Sequence, residues 1–365
     1  MAGHRSEVVG LRQAHAGPTA PLGATSILDR AAREAAEHDA LAPAATRSAG
    51  AGDRRRAEEP DPWRTCFERD RDRILHATAF RRLAGKTQVF VFPADHQRTR
   101  LTHALEVAQI ARSLAAALRL NVALAEAIAL GHDCGHGPFG HASEDALDPL
   151  APGGFDHAPW GADITLAPLN LTREVSDGIR NHSWSRPPPV TPEGEVCSLA
   201  DRMAYATHDA EDAARAGIVD LDDLPGAVLE VVGRSRSRQL DTFVTDVVLT
   251  SQDRQAVGMS ADPADALAAL REWCYQRIYL RPESVTQAGM VHRMLRALVE
   301  HYVAHPDRLP DRPDLDRDGE RQRAAVGYVA GMTDRFACAQ AAQLLGWRPS
   351  EMPAGFDTSA PPGDG

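Results

Sequence analysis

The sequence predicts an all-α domain, on three observations. From Trp63 to about Leu345, apolar residues recur mostly at helical spacing. Only one short run, Lys86–Phe92 (KTQVFVF), has the character of a strand, and one strand does not make a sheet. No GxxxxGKS/T occurs, and the one GxGxxG match, GHGPFG at 135–140, follows an apolar helical run and not a strand, so neither phosphate loop of the commonest sheet-based nucleotide folds is present.

Taken in order, residues 1–60 are rich in Ala, Gly, Pro and Arg and predict a flexible arm. Within it, 26–38 is a weak helical patch with Ser26 as the candidate N-cap, and Asp53-Arg54-Arg55-Arg56 reads as a solvated linker. Residues 63–84 place Phe67, Ile74, Leu75, Phe80 and Leu83 at helical spacing. Residues 101–119 predict a strong amphipathic helix through Leu101, Leu105, Ala108, Ala111, Leu114, Ala115 and Leu118. Residues 122–131 are apolar all round, which predicts a buried helix. Further helices fit 195–215, 263–279, 284–304 and 319–345, and proline clusters at 186–192 and 308–313 mark loops. The organisation expected is an arm at 1–60, one domain at 61–347 and a flexible tail at 348–365.

Of the 365 residues, 43% are apolar, enough to bury a core. The formal net charge of −11 argues against a protein coated in nucleic acid. Lys86 is the only lysine among 40 Lys and Arg residues. No run of about 18 uncharged apolar residues occurs, so no transmembrane helix is expected. The opening MAGHRSEVVGLRQ has no apolar core of a secretory signal. Cys66, Cys134, Cys197, Cys274 and Cys338 are widely spaced with no CxxC, so reduced thiols in a cytoplasmic protein are expected.

The chemistry lies in an ordered set of potential metal ligands. His103 sits in RTRLTHALEV, His132 and Asp133 end the buried AIALGHDCGH stretch, and Asp201 lies in EVCSLADRMAYATHD. A carboxylate at a buried helix end needs a compensating partner, and a divalent metal supplies one. Two imidazoles and two carboxylates suit Mn, Fe, Co, Ni, Zn or, less naturally, Mg. Each residue alone has a plain structural alternative, and a second His-Asp pair occurs at His208-Asp209. The order His, His-Asp, Asp on three successive helices carries the weight.

That order, with RDRDRILHATAFRRLAGKTQVFVFPADHQRTRLTHALEVAQIARSLA, AIALGHDCGHGPFGHASEDAL, GGFDH and TPEGEVCSLADRMAYATHDAEDA, resembles the deoxyguanosinetriphosphate triphosphohydrolase-like family of the HD superfamily. The resemblance covers about 62–347, and Cys134 stands where that family has an aliphatic residue. It implies an HD-type helical bundle with a metal site between core helices. The implied reaction is metal-dependent hydrolysis of a deoxynucleoside triphosphate to deoxynucleoside and inorganic triphosphate. It implies His103, His132, Asp133 and Asp201 as ligands of a divalent ion (Mn, Mg, Co, Fe, Ni or Zn).

The resemblance further implies His141 as acid–base group, Glu144 as its acidic partner, and His136 and His157 as phosphate-contacting histidines. His136 is next in line for the catalytic role. On the helix 196–212, Asp201, Tyr205, His208, Asp209 and Asp212 share one face, with Val196, Leu199, Met203, Ala206 and Ala210 opposite. By resemblance Tyr205 and Asp209 contact the deoxyribose, with Gln88 a further sugar contact. Residues 61–100 hold nine Arg/Lys against five Asp/Glu. Arg100, three residues before His103, is the first candidate for a phosphate clamp, with Lys86, Arg82 and Arg98 behind it. A homo-oligomer is expected, with a nucleotide activator or single-stranded DNA as open partners and no membrane. The alternatives are another HD phosphohydrolase, a nucleoside monophosphatase or guanosine tetraphosphate hydrolase, and a non-catalytic dNTP or single-stranded-DNA sensor.

Overall fold

The structure, a computed structural model, describes residues 4–5, 11–16, 22–93, 97–310 and 318–354. Among them the fold is all-α. Its helices are α1 (Arg30–Ala40), α2 (Cys66–His76), α3 (Thr78–Arg82), α4 (Arg100–Ala117), α5 (Val122–Gly131), α6 (His141–Leu147), α7 (His157–Trp160) and α8 (Arg173–Asn181). They continue as α9 (Pro192–Arg215), α10 (Gly226–Val231), α11 (Arg236–Arg254), α12 (Ala261–Cys274), α13 (Pro282–Ala304), α14 (Asp318–Ala330) and α15 (Asp334–Leu345). Two two-residue strands, His4–Arg5 and Arg12–Gln13, pair antiparallel. None of the described helices is long and apolar enough to cross a membrane.

Side-chain caps start the helices that carry the site. Thr99 caps α4, Asn121 accepts the Leu124 N–H at 3.2 Å to begin α5, and Thr172 caps α8. At α9, Thr191 is the cap and Pro192 takes the first turn, where its missing N–H costs nothing. Packing then decides the rest. Helix α5 buries seven of its ten residues, as its all-round apolar sequence requires. It lies against α2, α4, α8 and α9. Gly178 brings α8 close to α5, because a Cβ there would stand 2.4 Å from Ile128 Cδ1. That close crossing sets the end of α8 beside the end of α5.

Two apolar cores result. The first gathers Phe67, Ile74, Leu114, Leu124, Ile128, Ile179, Met203, Phe243 and Leu270, from α2, α4, α5, α8, α9, α11 and α12. The second gathers Phe139, Leu147, Trp160, Leu295, Leu298, Val326 and Ala337, with α13 packed along α6. The segment 132–140 runs from one core to the other, so the residues it carries lie at their junction.

Several expectations are corrected. The N-terminal helix begins at Arg30, four residues after Ser26, and Asp29 caps it by accepting the Ala32 N–H at 2.8 Å. Residues 41–56, expected within a flexible arm, are folded onto the body. Buried Glu193 accepts the N–H groups of Thr46 (3.0 Å) and Asn121 (2.9 Å). In the run read as a solvated linker, Arg54 is buried and donates to Asp70 Oδ1 at 2.5 Å and Asn170 O at 2.7 Å. Parts of the arm, 1–3, 6–10 and 17–21, lie outside the described residues, as do 311–317 and 355–365. Lys86–Phe92 forms no strand; a single bridge, Thr87 to Thr99, lays it beside the start of α4. The helix expected over 319–345 is two, broken at Gly331–Thr333, and 263–279 ends its α-helix at Cys274 before a π-helical turn at Tyr275–Tyr279. Of the expected tail, Met352 is buried in the second core.

Candidate active site

The four ligand candidates converge. His103 projects from α4, His132 caps the C-terminus of α5 with Asp133 next to it, and Asp201 projects from α9. His103 Nε2 stands 3.0 Å from Asp201 Oδ1 and 3.9 Å from Asp133 Oδ2. His132 Nε2 stands 3.4 Å from Asp133 Oδ1 and 3.6 Å from Asp201 Oδ1. His132 Nδ1 donates to Ala129 O at 2.7 Å, so Nε2 carries the lone pair. That nitrogen is buried and has no hydrogen-bond partner among the described residues. An orphaned imidazole lone pair between two carboxylates fits a divalent cation, and the N/O donor set suits a transition metal.

Arg100 lies at the same centre. It is 2% exposed, and Nη1 donates to Asp133 Oδ2 at 2.7 Å. Its Nε and Nη2 are buried with no partner among the described residues. Two unmet donors on a buried guanidinium cost about 1–3 kcal/mol each, and an anion would satisfy them. Burial alone would raise the Asp133 carboxyl, but Arg100 and the neighbouring histidines hold it well below the usual range. Asp201 is likewise held low against its burial, by the His103 contact and His132.

The loop after the ligand pair turns sharply. Phe139 and Gly140 have φ of +66° and +62°. A Cβ on Gly140 would stand 2.4 Å from Arg100 Nη2, so glycine is required for the guanidinium to sit where it does. Buried Asp334, at the start of α15, clamps the turn. Its Oδ1 accepts the Phe139 N–H at 2.7 Å, and its Oδ2 accepts from Thr87 N (2.8 Å) and Oγ1 (2.6 Å).

Beyond the turn, His141 Nδ1 donates to Glu144 Oε1 at 2.7 Å, and the His141 side chain is 75% exposed. Its Nε2 is therefore the nitrogen free to exchange a proton. Glu144 Oε2 accepts from His157 Nδ1 at 2.9 Å. Burial pushes Glu144 up, but His157 and His141 hold it far below the usual range. His136 stacks on His157, with centroids 3.8 Å apart, and its Nε2 donates to Asp133 Oδ1 at 3.2 Å. Burial, with Arg100 beside it, drives the His136 pKa well down, so that ring is neutral.

The remaining candidates divide. Gln88 is half-buried, with Oε1 unpartnered among the described residues. Helix α9 shows no solvated polar face, because α4, α5, α11 and α12 pack around it. His208 and Asp209 are buried, and Asp209 is 2% exposed. Asp209 accepts from Arg98 on one oxygen and from the Tyr279 hydroxyl on the other. Tyr205 is half-buried, and its hydroxyl accepts from Arg271 Nε at 3.1 Å. Leu199, expected on the buried face, is only half-buried. Two weaker clamp candidates are corrected: Arg98 pairs with Glu106, Asp209 and Asp212, and buried Lys86 donates to the carbonyls of His136 and Ala330. Arg82, the third, is exposed.

Sequence reasoning missed His182, Asp334 and Tyr279. His182 had a signal: it ends α8 as His132 ends α5, and its Nδ1 donates to Ile179 O at 2.8 Å. The same three-residue back-bond aims both Nε2 atoms inward. Asp334 and Tyr279 act over separations of 195 and 70 residues, which no local pattern reveals.

Comparison with known proteins adds family information. Residues 100–206 match the HD domain, and 257–343 match the phosphohydrolase-associated domain. A deoxyguanosinetriphosphate triphosphohydrolase-like protein of Caldanaerobacter subterraneus subsp. tengcongensis is 42% identical over 314 residues, covering 83% of this chain and 92% of the relative. One of the same description from Clostridium perfringens is 43% identical over 300 residues, covering 78% and 87%. A solved structure of a hypothetical protein from Aquifex aeolicus is 20% identical with a TM-score of 0.42, covering 77% of this chain and 69% of that one.

Proposed function

The chain belongs to the deoxyguanosinetriphosphate triphosphohydrolase-like family of HD-domain phosphohydrolases, and from that premise we propose that it hydrolyses deoxynucleoside triphosphates to deoxynucleoside and inorganic triphosphate. The observation that carries this reading is the convergence of His103, His132, Asp133 and Asp201 at 3.0–3.9 Å, with Arg100 among them. A divalent ion held by those four side chains would polarise an α-phosphate oxygen and offset its charge.

The other roles follow from the protein's own groups. Arg100 brings two unmet N–H donors to phosphate oxygens. His141, with Nδ1 committed to Glu144, takes or gives a proton at Nε2. Glu144 fixes the tautomers of His141 and His157 together. Gln88 Oε1 offers an acceptor to a sugar hydroxyl, and Tyr205 packs under the deoxyribose. Asp209 reaches the 3′-OH by exchanging one of its internal partners, Arg98 or Tyr279.

The test is incubation of the metal-loaded protein with each of the four dNTPs and separation of the products. Deoxynucleoside and tripolyphosphate in equal amounts are expected. Pyrophosphate or monophosphate as the phosphate product assigns the chain to another hydrolytic class, and stoichiometric binding without turnover makes it a sensor.

A further inference from the structure

The turn that leads into His141 is held by a residue 195 positions away. Phe139 is buried, and its φ of +66° lies in the left-handed region that a bulky side chain rarely adopts. Such a conformation persists only where its surroundings over-determine it. The Phe139 N–H donates to Asp334 Oδ1 at 2.7 Å, and Asp334 Oδ2 accepts from Thr87 N at 2.8 Å and Thr87 Oγ1 at 2.6 Å. One buried carboxylate therefore ties the backbone at 87 to the backbone at 139. Gly140 fills the gap that results, since a Cβ there would stand 3.0 Å from Thr87 O and 2.4 Å from Arg100 Nη2. The Gly140 carbonyl accepts from Ser143 N at 2.9 Å and Ser143 Oγ at 2.6 Å, which starts α6 with His141 as its first residue. A second link runs beside the first: Lys86 Nζ donates to His136 O and, at 3.0 Å, to Ala330 O.

We propose that Asp334 is a positioning residue for the hydrolytic site, aiming His141 and Arg100 through the 139–140 turn. None of its three hydrogen bonds reaches either side chain. The proposal rests on the reading of His141 as the acid–base group and of Arg100 as a phosphate contact. His141 is 75% exposed, so packing on its own ring does little to fix it. Its place is set by the backbone that enters α6 and by Glu144. Arg100 is bonded through Nη1 to Asp133, while its Nε and Nη2 have no partner among the described residues. The backbone at Gly140 is the wall that Nη2 meets, and Asp334 holds that wall through the residue before it. An amide cannot replace the carboxylate. Asn accepts through one oxygen only, so its NH2 faces either the Phe139 N–H or the Thr87 N–H, donor against donor. The start of α15 thereby governs a loop on the opposite side of the metal ligands' own sequence.

Asp334→Asn and the milder Thr87→Val, which removes only the Oγ1 bond, are compared with wild type as full-length, metal-loaded protein. Circular dichroism and bound-metal analysis check that each variant is folded and loaded. Hydrogen exchange read by mass spectrometry needs no activity. The amides of 137–143 should exchange about tenfold faster in Asp334→Asn, with α5 and α9 unchanged. With dGTP as substrate, Asp334→Asn should lose about 10–100-fold in kcat and raise KM, and Thr87→Val should show a smaller change of the same kind. In a His141→Ala background the kcat loss should vanish, because no placed imidazole remains to be moved. The KM rise should persist there, because Arg100 remains. An equal kcat loss in both backgrounds marks a general lesion and overturns the proposal. Unchanged exchange at 137–143 overturns it whatever the substrate. A wild type that does not turn over dGTP refutes the proposed function, and the positioning role is then read from tripolyphosphate titrated calorimetrically. Affinity in Asp334→Asn equal to wild type overturns that role, and weaker affinity with faster loop exchange upholds it.

Discussion

His141 turns Nδ1 to Glu144 Oε1 at 2.7 Å while its ring stays 75% exposed. A well-exposed imidazole with one nitrogen anchored is set up for proton exchange at the other. His141 stands outside the four ligand candidates, so its removal separates chemistry from metal binding. His141→Ala is expected to lose about 10²–10⁴-fold in kcat with metal content intact. Glu144→Gln should show a smaller loss, since it acts through the histidine. Steady-state kinetics beside metal analysis decides. Loss of metal in His141→Ala makes it a ligand, and wild-type kcat passes the acid–base role to His136.

Asp201→Ala removes the carboxylate that contacts both His103 and His132. The two imidazoles then face an incomplete shell, and metal binding and turnover should both fall. Equilibrium dialysis with the metal, followed by an activity assay, reads both. Full occupancy with wild-type activity would refute the ligand assignment.

The convergence of His103, His132, Asp133 and Asp201 was legible because these residues stand on helices whose spacing is written locally: His103 in an amphipathic helix, His132-Asp133 at the end of an apolar one. The loop dyad was legible for the same reason, since His141 and Glu144 are one helical turn apart. Corrections fell where long-range pairing overrides composition. Arg54 reads as a solvated charge until Asp70 arrives, and Arg98 reads as a clamp until Glu106, Asp209 and Asp212 surround it. The polar face of α9 read as a substrate contact, and polarity on a helix does not say whether its partner is a ligand or a buried arginine.

Discrimination between deoxy- and ribonucleotides should depend on Tyr205, one turn along α9 from Asp201. A ring packed under the sugar leaves no room for a 2′-OH, so kcat/KM for dGTP should exceed that for GTP. Tyr205→Ala should narrow the ratio, mainly by raising ribonucleotide turnover. Equal wild-type kcat/KM for the two nucleotides contradicts this role.

The Arg54–Asp70 pair predicts a stability effect far from the chemistry. Both side chains are buried, with Asp70 also accepting the Thr172 N–H at 2.7 Å. Removing one partner leaves an uncompensated buried charge. Asp70→Ala should therefore cost about 3–5 kcal/mol in denaturant unfolding. A loss below about 1 kcal/mol, the usual value for an exposed pair, means the residues before α2 do not hold this packing in solution.

Lys86 gives the last prediction, and its being the only lysine makes it measurable. Burial lowers its pKa to about 8, with Asp334 opposing the shift and Arg100 adding to it. In the unfolded chain it titrates near 10.4. Below pH 8 both states carry the proton and the full cost of burying the ammonium is present. Between about 8 and 10.4 the unfolded state holds more protons, so this residue's contribution to stability rises with pH, by roughly 3 kcal/mol in all. The buried thiols act in the opposite sense. Burial pushes Cys66 up to about 11 and Cys134 up to about 12, so their unfolded forms ionise first and stability falls above pH 9. The lysine is isolated by comparing wild type with Lys86→Met in metal-free protein: their stability difference should change across pH 8–10.4 and be flat below it. Isotope-labelled lysine should give one side-chain NMR resonance with a midpoint near 8. A midpoint near 10.4 would show that Lys86 is solvated, and would remove it as the support holding the His136 carbonyl.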